Sequence, residues 1–153
     1  MLGEINTEIF NAIKILSLTE NDIKLIDPEE SELIYKDCLQ HFVKSGDRRW
    51  WWEDFKQPYF VFPKFELPFN HLNEILPDVT EEVWLMVEDV FESFYPIYDV
   101  KPQLIQNIIA ECIGFEYYII QKDKEWLICE THCNDLLGIG DKLRNKNSKI
   151  LTV

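Results

Sequence analysis

The four cysteines of this chain include no C-x-x-C pair, so the usual sequence sign of a redox dithiol or a zinc ribbon is missing. No apolar stretch approaches the ~18 residues needed to span a bilayer, which argues against a membrane helix. The start, Met1-Leu2-Gly3-Glu4-Ile5-Asn6, has neither the basic residues nor the apolar run of a secretory leader. Its glycine stands at position 3, so the myristoylation pattern is absent as well. A cytoplasmic protein with reduced thiols is the expectation. There is no phosphate-binding glycine loop, dinucleotide fingerprint or H-E-x-x-H, and no glycine-rich nucleophile elbow. No motif fixes a reaction, and neither an enzyme nor a cofactor is expected. Positive charge is scarce too, with 15 Lys+Arg against 28 Asp+Glu and a formal net charge of −13. That balance opposes the phosphate backbone of nucleic acid.

What is present is apolar bulk. The chain is 46% hydrophobic and 14% aromatic, which reverses the disorder that high net charge alone would suggest. At 153 residues it reads as one domain. A chain of this size buries roughly 70% of its unfolded surface, so its core needs no disulfide or metal. Charge is uneven along it. From His71 to Asp99 there are eight acids (Glu74, Asp78, Glu81, Glu82, Glu88, Asp89, Glu92 and Asp99) and no Lys or Arg. After Asp141 the sign reverses with Lys142, Arg144, Lys146 and Lys149. The three parts expected are a helical portion over 1–47, a sheet-containing portion over 48–141 and a basic tail over 142–153.

Ile5, Ile9, Ala12, Ile13 and Leu16 make one helical stripe and predict a helix over about 6–17. Thr19 to Asp22 reads as a loop. Asp27 as cap, Pro28 in the first turn and Glu30 predict a second helix, with Leu33, Ile34, Cys38 and Phe42 on its inner face and Ser45-Gly46 closing it. Pro58 to Pro63 reads as a short edge strand and 71–76 as a short helix. Val83 to Val87 is a strand, and Phe94 to Tyr98 another, with Pro96 arguing for an edge or bulge. Pro102 opens a helix over 101–113 with Leu104, Ile105, Ile108, Ile109 and Cys112 buried, closed by Gly114. Phe115 to Gln121 and Trp126 to Cys129 form a hairpin around a four-residue loop. Thr131 caps a last short helix reaching Leu137. The sum is an α+β domain: an antiparallel sheet of about five strands, helices over one face and two N-terminal helices.

Three consecutive tryptophans, Trp50, Trp51 and Trp52, follow Arg48 and Arg49. Three neighbours on one element cannot all face one core, so at least one indole should lie near the surface. Trp and Arg are enriched at binding hot spots, and an arginine can stack on an indole. Core-edge packing by two of the three is the alternative. Arg49, Trp50, Trp51, Trp52 and Glu53, with the acids Glu88 and Asp89 after the strand at 83–87, are the candidate partner-binding residues. Cys38-x-x-His41 and Cys129-x-x-His132 carry donors that could close a tetrahedral zinc site, although Cys38 on its helical stripe also reads as core packing. Cys129, Glu130, His132 and Asp135 hold the ingredients of a nucleophilic triad, which spacing alone does not bring together.

The motifs Arg49-Trp50-Trp51-Trp52-Glu53, Tyr95-Pro96-Ile97-Tyr98, Phe115-Glu116-Tyr117-Tyr118-Ile119-Ile120 and Trp126-Leu127-Ile128-Cys129-Glu130, with Glu111-Cys112 and His132, resemble a family of small acidic bacterial proteins known only as a domain of unknown function. The resemblance covers about 48–140 and implies no catalytic residue. In size, acidity and element order the chain is also similar to bacterial toxin-immunity proteins, an analogy of character rather than motif. The expected role is therefore an acidic, cytoplasmic, immunity-type inhibitor of a basic toxin or effector protein. Its partner would be a basic protein rather than nucleic acid or membrane. Two alternatives stay open: a small enzyme or metal-binding protein built on Cys129, Glu130 and His132, and a protein with a small-molecule pocket.

Overall fold

A computed structural model describes residues 4–44, 50–77, 80–89 and 94–151. In chain order the elements are α1 (Glu4–Ile15), β1 (Ile23–Leu25), α2 (Pro28–Phe42), β2 (Phe60–Val61), α3 (Leu72–Ile75), β3 (Val83–Val87), β4 (Ile97–Val100), α4 (Pro102–Ala110), β5 (Tyr117–Ile120), β6 (Leu127–Glu130), β7 (Leu136–Ile139), α5 (Asp141–Lys146) and α6 (Ser148–Leu151). The strands form one sheet in the order β1-β4-β3-β5-β6-β7-β2, and every pairing is antiparallel.

The domain is α+β as expected, but the sheet has seven strands rather than about five. One addition is β1, three residues paired with β4 from Ile23↔Val100 to Leu25↔Tyr98. The other is β7. The stretch 131–137 is not a helix. Thr131 Oγ1 accepts from the Cys133 and Asp135 amides at 3.2 and 3.3 Å, closing a tight turn that feeds β7 back along β6. The local capping signal at Thr131 is real, but it builds a turn, and Leu136, Leu137 and Ile139 are buried in the strand that follows. β4 is interior, between β1 and β3; Pro96 lies just before it, where a missing N–H breaks no ladder bond. β2 is at the edge, as its flanking prolines suggest.

Helices cover both faces, not one. Alternating strand residues sort into two cores. Leu85, Tyr98, Tyr117, Ile119 and Ile128 face α1, α3, α4 and α5. Met86, Ile97, Tyr118, Ile120, Leu127, Cys129 and Ile139 face α2 and the tryptophan segment. The physical reason lies in the strands themselves. β5 reads Tyr-Tyr-Ile-Ile with all four side chains buried, a pattern without polar alternation that needs cover on each side.

The second helix begins where its cap predicts: Asp27 Oδ1 accepts from the Glu30 amide at 3.0 Å. Leu33, expected on its inner face, is exposed; Cys38 and Phe42 are buried there as expected, Ile34 packs against the same core, and Tyr35 and Leu39 join them. α2 ends at Phe42, and the expected Ser45-Gly46 closure lies outside the described residues. The basic C-terminal segment folds as α5 and α6. Leu143 enters the core, and the buried Asn147 amide donates to the Ile75 and Leu143 carbonyls at 2.9 Å each. Gly138 is required in β7: a Cβ there would meet the Phe60 ring at 2.6 Å.

Candidate partner-binding site

The tryptophan segment is pinned by its backbone. Val43 bridges to Phe55, Lys44 N donates to Asp54 O at 3.0 Å, and Lys56 N donates to Phe42 O at 2.8 Å. Between these anchors Trp51–Glu53 make one turn of 3-10 helix. The tight turn sends successive side chains in different directions. Trp51 is fully buried, against Tyr35, Tyr118 and Tyr95 at ring separations of 5.5, 5.0 and 5.8 Å, and its amide donates to the Tyr118 hydroxyl at 3.1 Å. Trp50 and Trp52 are half-buried and stacked on each other, 6.2 Å apart with 27° between planes. So the segment divides its work: one indole fills the core beneath α2, and two form a surface platform.

His132 completes that platform. Its ring lies 5.0 Å from Trp50 and 5.4 Å from Trp52. Glu116 Oε1 accepts from the His132 backbone amide at 2.7 Å and lies 2.8 Å from Nδ1. The bond to Nδ1 orients the imidazole with Nε2 pointing away from the carboxylate. The burial contrast is sharp: the Glu116 side chain is 6% exposed and that of His132 47%. Glu116 is fixed in turn because its carbonyl accepts from the Glu88 amide at 3.1 Å, which carries the β3–β5 ladder one residue further. Burial, and then the charges of Glu88 and Glu116, push the Tyr95 hydroxyl well above its ordinary value.

Of the expected partner-binding residues, Trp50 and Trp52 are at this surface and Trp51 is not. Glu53 is exposed beside them, Glu88 is half-buried, and Asp89 is buried. Arg49 lies outside the described residues. Glu116 and His132 are the pair that sequence reading did not join. They stand 16 positions apart and meet because the β5–β6 hairpin returns the chain and the turn after β6 delivers His132 over the start of β5. The only local signal was an acid directly before a wholly apolar strand.

The other candidates are dispersed. Cys129 is fully buried on the α2 side, and burial, with the charge of Glu116, drives its thiol well above the usual range. Glu130 points to the opposite face, where the Tyr117 hydroxyl donates to it at 2.7 Å; burial raises its carboxyl, and that bond partly offsets the rise. Adjacent residues of a strand face opposite sides, so Cys129 and Glu130 cannot share a site. His132 sits on Glu116, and Asp135 is paired with Lys64 at 2.9 Å. Cys38 is buried under α2 with its thiol pushed up to about 12, while His41 is exposed with its ring edge-on to Phe42. Among the described residues no group of three or more His, Cys, Asp or Glu is placed to hold a metal ion, and no helix is long and apolar enough to cross a membrane.

The model of a family of unknown function, DUF6756, matches residues 2–151. No curated protein and no solved structure matches the chain.

Proposed function

The chain belongs to this family of unknown function, and from that premise we propose that it is a bacterial cytoplasmic binding protein, an immunity-type inhibitor that docks a basic toxin or effector protein on the Trp50–Trp52–His132 surface. One observation carries the reading: two half-buried, stacked indoles and an oriented imidazole stand together at the surface of a molecule with net charge −13. Large rigid aromatic side chains offer contact area at little entropic cost, the composition found at interface hot spots. The surrounding negative field steers a cationic partner and accelerates encounter. Inhibition would be steric, by covering the partner's working surface.

The triad reading loses its geometric basis, since Cys129, Glu130 and His132 occupy two opposite sheet faces and the surface. The test begins with the purified protein as bait in lysate at low and high salt, read by mass spectrometry. The docking reading expects a basic protein that is released by salt and is lost by Trp50→Ala and Trp52→Ala. Its association rate with the purified chain should fall as ionic strength rises. Undiminished capture by both tryptophan variants, or a salt-independent on-rate, would contradict the docking surface.

A further inference from the structure

On the sheet face away from the Trp50–Trp52 segment, a cavity of about 160 Å3 lies between the segment at 66–69, the end of α4 with the stretch at 112–115, and strands β5 and β6. Sites for drug-sized ligands span roughly 300–1,000 Å3, so this one has room for a single slender group. Phe69, Ile109 and Phe115 are among its apolar walls, and Tyr117 and Glu130 line it from the sheet.

Glu130 is the informative residue. It carries an ionisable group at a position only 8% exposed, where acids are rare unless paired. The Tyr117 hydroxyl donates to its Oε1 at 2.7 Å, and among the described residues Oε2 takes no hydrogen bond. Oε2 is not sealed in protein, so it is reached from the cavity that Glu130 lines. For Tyr117 alone the oxygen of an amide would serve as well as a carboxylate, at a smaller desolvation cost. Burial raises the Glu130 carboxyl, and a perturbed acid in a cleft is characteristic of functional sites.

The charges around the cavity have one sign. Glu66 also lines it, and among the described residues no Lys, Arg or His does. Cys112 is a further lining residue, and its thiol is pushed up to about 12 by burial and then by the charges of Glu8 and Glu111, which places two more carboxylates nearby. Lys64 is engaged elsewhere, by Asp135 at 2.9 Å and the Cys133 carbonyl at 2.8 Å. The outer lining is apolar: Ile113 is 91% exposed and Leu67 50%.

We propose that this cavity receives a lysine side chain of a basic partner protein. The ammonium donates to Glu130 Oε2, the methylene stem lies along Phe69, Ile109 and Phe115, and the partner's backbone covers Ile113 and Leu67. Lysine fits better than arginine because Tyr117 already holds one carboxylate oxygen. A guanidinium fork uses both oxygens, whereas an ammonium is a point donor on a thin stem. A protein fits better than a free amine, which would leave Ile113 and Leu67 in water. The site is on the other sheet face from the Trp50–Trp52–His132 surface and stands whether or not a partner docks there.

The test is an NMR titration of the full chain with Nα-acetyl-L-lysine N-methylamide, following the Ile113, Gly114 and Tyr117 amides. The lysine probe is expected to shift these signals saturably. The norleucine counterpart, which lacks the ammonium, should bind at least tenfold more weakly, the loss expected for a hydrogen bond to a charged group. The arginine counterpart should be severalfold weaker than lysine. Glu130→Gln keeps an acceptor for Tyr117 and removes the charge, so it should weaken the lysine probe at least tenfold, with its fold checked by circular dichroism. Ile113→Ser, at an exposed position, should weaken the lysine probe severalfold and leave n-butylamine unchanged. n-Butylamine binding as tightly as the lysine probe would overturn the protein side chain in favour of a free amine. Equal binding of the norleucine probe, undiminished binding by folded Glu130→Gln, or no shift at tens of millimolar lysine probe would overturn the cation site.

Discussion

Replacing Trp51 with alanine tests the division of labour within the tryptophan run. Its indole is fully buried between the sheet and α2, touching the rings of Tyr35, Tyr95 and Tyr118. Truncating a buried Trp or Phe to alanine costs about 3–5 kcal/mol, the transfer loss plus the cavity left behind. Against a total stability of about 5–15 kcal/mol that is a large fraction. For a domain of this length about 1 kcal/mol corresponds to 2–4 °C, so the midpoint should fall by roughly 6–20 °C. Trp50 and Trp52 keep part of their surface in water in the folded state, so truncating either forfeits only part of a full burial, about 1 kcal/mol. Urea unfolding followed by far-ultraviolet circular dichroism is the right assay, because each substitution also removes a fluorophore. A Trp51→Ala variant no less stable than Trp50→Ala would refute the assignment of Trp51 to the core. The contrast also makes Trp50→Ala and Trp52→Ala usable as probes of docking.

Three further outcomes follow from the packing. Burial raises the Glu130 carboxyl, so ionising it costs folded-state stability as pH climbs from the unfolded value through the folded one. Glu130→Gln, which keeps an acceptor for Tyr117, should therefore gain on the wild type as pH rises from 4.5, the ordinary carboxyl value, toward neutrality in urea titrations; a gain that shrinks over that range would contradict this. Cys133 is exposed, Cys38 and Cys129 are buried, and Cys112 is half-buried with its thiol pushed up to about 12 by burial. A thiol reagent should label Cys133 rapidly in the native protein and all four cysteines after unfolding, and fast native labelling of Cys129 would count against its place in the core. Gly138→Ala puts a Cβ against Phe60 and Leu143 at 2.6 and 2.9 Å and should cost about 1–3 kcal/mol by overpacking, whereas an unchanged melting temperature would show that β2 can move aside.

Signals that act within a few residues carried straight into the structure. The Asp27 cap fixed the start of α2, Pro102 and the isoleucine stripe defined α4, and the four-residue loop of the β5–β6 hairpin is closed by Gln121 N donating to Trp126 O at 3.2 Å. β1 was missed because three residues hold no periodicity; they are a strand only because β4 is beside them. β7 was misread because Thr131 caps a turn and a helix with the same chemistry, and the choice was made by pairing with β6. The two-sided core, by contrast, was legible in principle, since Val83 to Val87 and Tyr117 to Ile120 lack polar alternation.

The candidate site divides the same way. That three adjacent indoles could not all share one core followed from the chain alone, as did the net charge of −13. Which indole is buried depended on the 3-10 turn held between Val43 and Phe55. The meeting of Glu116 with His132, and of Asn6 with Tyr98 across 92 positions, depended on strand order. Local propensity and composition are properties of the chain by itself. Which distant side chains become neighbours is decided only when the sheet closes, because register across strands is set by burying both faces at once.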